Sequence, residues 1–184
     1  MNKYKKLFVA TLTTITMLTP YCFSETNKKK AYKPNREKLV AKLLKNRFEM
    51  RLPNGKRNLV TTLMCATMIN NIKMAKLLLQ LEANPNEQDY YGQTALMYSV
   101  DHTMTKLLLN YDADPNITCE NGNTPLIIAI SEKNIKSIKL LLRHGANPYL
   151  KNNNGLHAFD ITRQLPDDMY VKDTIFNLLD KYSQ

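Results

Sequence analysis

Glycine is scarce in this chain: five residues among 184, scattered rather than clustered. That excludes a glycine-rich phosphate loop. With eight prolines, it also excludes a collagen-like or low-complexity chain. Three cysteines are too few for a domain built on disulfides. Nucleophile signatures are missing too. No Gly-x-Ser-x-Gly elbow surrounds any serine, and Ser99 and Ser131 have no evident base. His102, His144 and His157 each lack a second ligand at the i+3 or i+4 spacing of a helical metal site. Asp167-Asp168 follows Pro166 and reads as solvated turn chemistry. The chain is expected not to be an enzyme and to hold neither cofactor nor metal.

Charge is abundant but one-sided. Residues 1–58 carry 15 basic and 3 acidic groups, whereas residues 59–184 carry 11 and 13. The body is close to neutral, so no nucleic-acid partner is expected. Hydrophobic residues make up 43% of the chain, enough for a packed core. At the start, Lys3, Lys5 and Lys6 precede the uncharged stretch Leu7–Leu18, then Thr19-Pro20 and Cys22-Phe23-Ser24. This order of basic, apolar and small-residue regions reads as a secretory signal peptide over residues 1–24, cleaved after Ser24. The apolar part is shorter than the ~20 residues that span a bilayer. An uncleaved anchor or a disordered leader are the alternatives. The expected product is exported and soluble, periplasmic or secreted. Residues 25–35 form a basic linker. Lys28–Lys30, Lys33, Arg36, Lys38, Lys42 and Lys45 read as a solvated linker and lysine-rich capping helix, or as a contact to anionic lipid or another polyanion.

The middle of the chain repeats. Thr61, Thr94 and Thr124 are spaced 33 and then 30 residues apart; the leucine triplets 77–79, 107–109 and 140–142 are spaced 30 and then 33. One deletion of three residues between Val100 and Met104 accounts for all four spacings. Each unit closes on Ala83-Asn84-Pro85, Ala113-Asp114-Pro115 or Ala146-Asn147-Pro148. Threonine followed by proline caps and opens a helix. Leu126, Ala129 and Ile130 share one helical face, and Ile135, Ile138 and Leu142 share the next. Neither helix can bury its face alone, but stacked copies can. Nine methionines fit such a core. His144 falls at a helix C-terminus, where positive charge is favourable, and His157 at a capping position.

A period of 33, with Thr124-Pro125-Leu126 opening one helix and Leu140-Leu141-Leu142 in a second, resembles the ankyrin repeat. The resemblance implies an all-α solenoid of helix–turn–helix units with hairpin-like loops. Units are expected at 57–88, 89–118 and 119–151. They lie between a degenerate half-repeat at 36–56, where Val40–Leu44 echoes Met74–Leu78, and a degenerate terminal repeat at 152–184. Almost no sheet is expected. Glycine is replaced after the outer helix by Glu82 and Asp112, where a left-handed backbone is strained, so the array should be soft, most of all in its middle. Cys65 and Cys119 fall about two repeats apart and are expected to be unpaired. The resemblance further implies a monomeric module that binds a protein partner through hairpin tips and the inner-helix face. The matching residues are Arg57, Asn58, Met68, Ile69, Gln88, Tyr90, Tyr91, Gln93, Asp101, His102, Thr118, Glu120, Asn121, Asn123, Ser131, Glu132, Lys151, Asn153 and Asn154. Tyr90-Tyr91 is the outstanding pair, since adjacent tyrosines supply rigid contact area. The shortened unit should leave a notch in which Asp101 and His102 lie.

Overall fold

The computed structural model describes residues 47–51, 57–166 and 169–182. The leader, the basic positions 28–45, the stretch Val40–Leu44 and Asp167-Asp168 lie outside the described residues. Strand β1 (Arg47–Arg51) pairs antiparallel with β2 (Arg57–Thr61), Arg47 opposite Thr61. Helices α1 (Thr62–Met68) and α2 (Ile72–Gln80) complete the first full unit. The second unit contributes α3 (His102–Leu109), and the third α4 (Pro125–Ser131) and α5 (Ile135–Arg143). The last supplies α6 (Ala158–Gln164) and α7 (Met169–Lys181). The chain is thus a helical solenoid. The expectation of almost no sheet is corrected by β1 and β2: β1 lies inside the span read as a degenerate half-repeat and extends the first hairpin into a true ladder.

The inner helices α1 and α4 start on threonine and the outer helices α2 and α5 on asparagine. The Thr61 and Thr124 hydroxyls accept the backbone N–H of Met64 (3.2 Å) and Ile127 (3.3 Å), and Pro125 opens α4. Asn71 and Asn134 accept from Met74 N (3.1 Å) and Ser137 N (3.2 Å). Each bond satisfies a donor the helix itself leaves free. His157 caps α6, its Nδ1 accepting from Asp160 N. His144 ends α5 with Nδ1 2.8 Å from the Leu140 carbonyl. Both histidines therefore have structural employment. The core runs through the stack as Leu63, Leu78, Leu96, Met104, Leu108, Leu126, Ile130, Ile138, Leu141, Ile175 and Leu179, all buried. α3 packs between α2 and α5, and α5 against α7.

The shortened unit departs from this plan. Asp101 holds the cap position of Asn71 and Asn134, so the absent residues correspond to Met68, Ile69 and Asn70, immediately before Asp101. In the complete units the turn there includes a left-handed residue, Asn70 (φ 55°) or Lys133 (φ 56°). Without it, Ala95–Tyr98 forms successive turns rather than a helix. Its bonds run three residues back, Met97 N to Thr94 O at 3.1 Å and Tyr98 N to Ala95 O at 3.2 Å. Met97 N therefore bonds to the Thr94 carbonyl. The buried Thr94 hydroxyl is left without a partner among the described residues. The deletion removes an inner helix and strands its cap.

Glu82 and Asp112 do adopt the left-handed conformation, at φ 63° and 60°, where the third unit has Gly145 at 83°. Substituting Glu82→Gly or Asp112→Gly should stabilise the array by about 0.5 kcal/mol each, strain relief exceeding the flexibility glycine adds to the unfolded chain. Urea unfolding midpoints measure this; a lower midpoint in both variants would contradict it. Cys65 and Cys119 are both free thiols. Burial pushes the Cys65 thiol up to about 12, so almost none is thiolate at neutral pH. Iodoacetamide on the folded protein at pH 8 should therefore label Cys119 and spare Cys65 until denaturant is added, as read by peptide mass spectrometry.

Candidate functional site

The hairpin tips are built from one local device. In Asp89–Gln93 and Asn152–Leu156 the first side chain ties the turn. Asp89 Oδ1 accepts from Tyr91 N (2.9 Å) and Gln93 N (2.8 Å). Asn152 Oδ1 accepts from Asn154 N (3.0 Å) and Leu156 N (3.1 Å). Such side-chain mimicry of a backbone turn is what Asp and Asn do well. The middle tip keeps the backbone closure, Cys119 N to Asn123 O at 3.0 Å, but has a cysteine at the tying position.

Successive tips are then joined edge to edge. Tyr91 O accepts Glu120 N at 2.8 Å, and Asn121 O accepts Asn153 N at 3.1 Å. Gln88 Nε2 donates to Gly92 O (2.7 Å) and across to Thr118 O (3.0 Å). Asn153 Nδ2 reaches Glu120 O (2.9 Å) and Asn152 Nδ2 reaches Asn123 Oδ1 (3.0 Å). The tips form one hydrogen-bonded row, which fixes the relative placement of their outward side chains.

Asn58 does not belong to that outward set. Expected as a binding residue, it is buried at 1% exposure. Its amide donates to Asp89 Oδ2 (2.7 Å) and to Tyr98 OH (3.2 Å), and its carbonyl accepts Tyr90 N (3.2 Å). Tyr98 OH donates to the same Asp89 oxygen at 2.5 Å. The buried Asp89 carboxylate is thus met by four donors, which compensates for its desolvation. Asn58 holds the first two hairpins together. Its neighbour Arg57 sits on β2, and its side chain is outside the described set.

The remaining residues divide by exposure. Tyr90 is 68% exposed, whereas Tyr91 is half-buried, packed edge-on to it at 5.3 Å between ring centres. One tyrosine faces solvent and the other faces the structure. Gln88, Thr118, Glu120, Asn121, Lys151, Asn153 and Asn154 are exposed; Gln93 and Asn123 are half-buried. At the other end of the inner helices, Met68 and Ile69 are half-buried and Ser131 and Glu132 exposed. Partial burial pushes the Glu132 carboxyl up. Asp101 lies 2.9 Å from His102 Nδ1. Partial desolvation would raise its carboxyl, but hydrogen bonds from Thr103 and the adjacent imidazole hold it below the usual carboxylate range. The notch left by the deletion is a depression lined in part by Ser99, Thr105, Glu132 and Ser137; Asp101 and His102, expected in it, do not line it. Its cavity volume is about 10 Å³, room for roughly one water. A chain of hydroxyls largely fills it: Ser99 to Thr105 at 3.0 Å and Thr105 to Ser137 at 3.1 Å.

Residues that matter here without having stood out are Asp89, Tyr98, Asn86 and Asn116. Asn86 donates to Asp112 O (3.0 Å) and accepts Asp114 N (2.8 Å). One unit later Asn116 donates to Gly145 O (2.9 Å) and accepts Asn147 N (2.7 Å). The signal was present as the asparagine after each of the first two Ala-Asn/Asp-Pro tripeptides.

The closeness of the tips gives a test. Gly122 and Gly155 share φ 75°, yet a Cβ at Gly122 would lie 2.7 Å from Asn153 N and one at Gly155 would touch nothing. Gly155→Ala should cost about 1 kcal/mol, the strain of the left-handed backbone alone. Gly122→Ala should cost roughly twice that or more, because the next hairpin must move. Denaturation midpoints of the two variants decide it, and equal losses would mean the row is not tightly joined.

Comparison with known proteins agrees with this architecture. Residues 30–119 match a family model described as ankyrin repeats in three copies, and residues 107–161 match another described as ankyrin repeats in many copies. A protein of Treponema pallidum (strain Nichols), described as ankyrin repeat-containing, is 47% identical over 98 residues. The match covers 53% of this chain and 23% of that protein, so the chain spans less than a quarter of its relative's length. Ankyrin repeats are generally protein–protein interaction modules, typically non-catalytic. By its period, its capped helix pairs and these matches, the chain belongs to the ankyrin-repeat family.

Proposed function

We propose that this chain is an exported bacterial module that binds a protein partner through its hairpin tips, with no catalysis of its own. The observation that carries the reading is the hydrogen-bonded row of tips, which holds Tyr90 outward beside the amide-rich tips Asn121, Asn153 and Asn154. A tyrosine fixed on a rigid tip loses little freedom on contact and offers a large apolar area with a polar end. Amides nearby supply adaptable donors and acceptors. Asp101 and His102 at the start of α3, and Ser131 and Glu132 at the end of α4, extend the surface. Asn58 acts as the internal brace of the row. The basic leader and its apolar stretch favour export into the periplasm or beyond, and the relative from a bacterium is consistent with that origin.

The test is affinity capture with the full chain beside Tyr90→Ala. Truncating a central aromatic anchor should weaken partner retention by about 2 kcal/mol, some 30-fold, while thermal unfolding stays within a degree or two of wild type. A variant with Lys28–Lys30 changed to Gln should retain the partner. Loss on the lysine changes and retention on Tyr90→Ala would favour attachment through the basic segment instead.

A further inference from the structure

The outer helices carry a charge pattern that the hairpin tips do not explain. Lys76, Lys106 and Lys139 occupy the same position in three successive outer helices, two residues before the second leucine of each triplet. Lys73, Lys136 and Arg143 flank them, one turn away along the same helices. All six side chains are exposed, and none forms an ion pair among the described residues. Helices α2, α3 and α5 contain no Asp or Glu. Residues 59–184 contain 11 basic and 13 acidic groups, so more than half the basic groups of a near-neutral body stand on one helical face. The nearest acids in sequence lie outside the helices: Asp101 and Glu132 precede α3 and α5, and Glu82 and Asp112 follow α2 and α3 in their closing turns. Asp173 and Asp180 on α7 bound the face at its far end. The local field is evident at Tyr182. Its phenol is held below the usual range, first by the hydrogen bond from Arg143 Nε (3.2 Å), then by the charges of Arg143, Lys181 and Lys139.

We propose that the exposed face of α2, α3 and α5 docks on an anionic phospholipid membrane. Packed helices stand 8–10 Å apart, and residues one turn apart about 5–6 Å, so the cations form a two-dimensional grid rather than a line. A grid suits a plane of headgroups. Lysine is a compact charge on a flexible stem and needs no fixed acceptor geometry, which also suits a fluid surface. Nucleic-acid recognition would favour aromatic stacking platforms or arginine forks; the exposed residues of these helices include no aromatic, and Arg143 already contacts Tyr182. Half-buried Leu77, Leu107 and Leu140, each beside a lysine of the row, add apolar contact at the headgroup boundary. This surface is distinct from residues 28–45 and from the hairpin tips. With both surfaces occupied, the protein would hold its partner against a membrane.

Vesicle sedimentation tests this with the full chain. Phosphatidylcholine vesicles are compared with vesicles containing about 30% phosphatidylserine, at about 0.1 M salt. The difference between them removes any uptake through the apolar leader. Wild type should show serine-lipid-dependent binding. The variant Lys76→Gln/Lys106→Gln/Lys139→Gln should bind on the order of 100-fold more weakly, from about fivefold per lysine. Tyr90→Ala should bind as wild type does, which separates this proposal from the partner-binding one. Circular dichroism confirms folding of the triple variant; if it is impaired, Lys73→Gln/Lys136→Gln serves, with an expected loss of about 30-fold. The proposal is overturned if a folded outer-face variant binds as wild type does. It is also overturned if the serine-lipid dependence is lost only on changing Lys28–Lys30, or if the chain retains duplex DNA while ignoring both vesicles.

Discussion

The structure depends on side-chain amides that reach from one repeat to the backbone of the next. Apolar burial draws the helix pairs together, but it is tolerant of small slips. Asn86 and Asn116 are not tolerant. Each donates to a carbonyl and accepts an N–H of the following loop, so a shift of an ångström would break both bonds. At the opposite side, Gln88 and Asn153 perform the same measurement between hairpin tips. The outward residues inherit their positions from these ties. An exposed tyrosine on a loose hairpin would be free to move with it; on this row its place is fixed.

The shortened repeat tests how much the array can omit. It has lost an inner helix, a helix cap and the left-handed turn between helices. Yet Leu96 and Met97 remain buried, and α3 still packs between its neighbours. What survives is the set of connections to adjacent units. Ser99, Thr105 and Ser137 bridge the gap with hydroxyls, and Asn134 Nδ2 donates to Val100 O at 3.2 Å. In a chain of nearest-neighbour interfaces, a unit can be internally poor if its two faces are intact.

Much of this architecture was legible in the sequence because its determinants are local. Threonine caps, Pro125, the leucine triplets and the displaced left-handed turns at Glu82 and Asp112 all act within a few residues of themselves. The position of the deletion was legible; its effect was not, because the loss of a helix follows from which turn residue is removed. Asn58 misled for a different reason. A polar residue before a helix looks like a solvated tip, and its partners Asp89 and Tyr98 stand 31 and 40 residues away. Strand β1 was hidden because pairing depends on what it meets across the hairpin. At the candidate surface, Tyr90-Tyr91 was recognisable as a pair, but which ring turns outward depends on the neighbouring hairpin.

Tyr149 stands where Asn86 and Asn116 stand in the two units before it. It cannot reach forward with an amide. Its ring lies against Phe159 and His157 at 5.8 and 6.3 Å between centres, covering the start of α6 instead of offering a socket. The array therefore has a direction of growth written into one side chain. A unit duplicated after Asn86 or Asn116 meets an amide already spaced for its loop. One appended after Tyr149 meets an aromatic lid, and lengthening there would first require the lid to be exchanged for a linker of atoms that can both give and take a hydrogen bond.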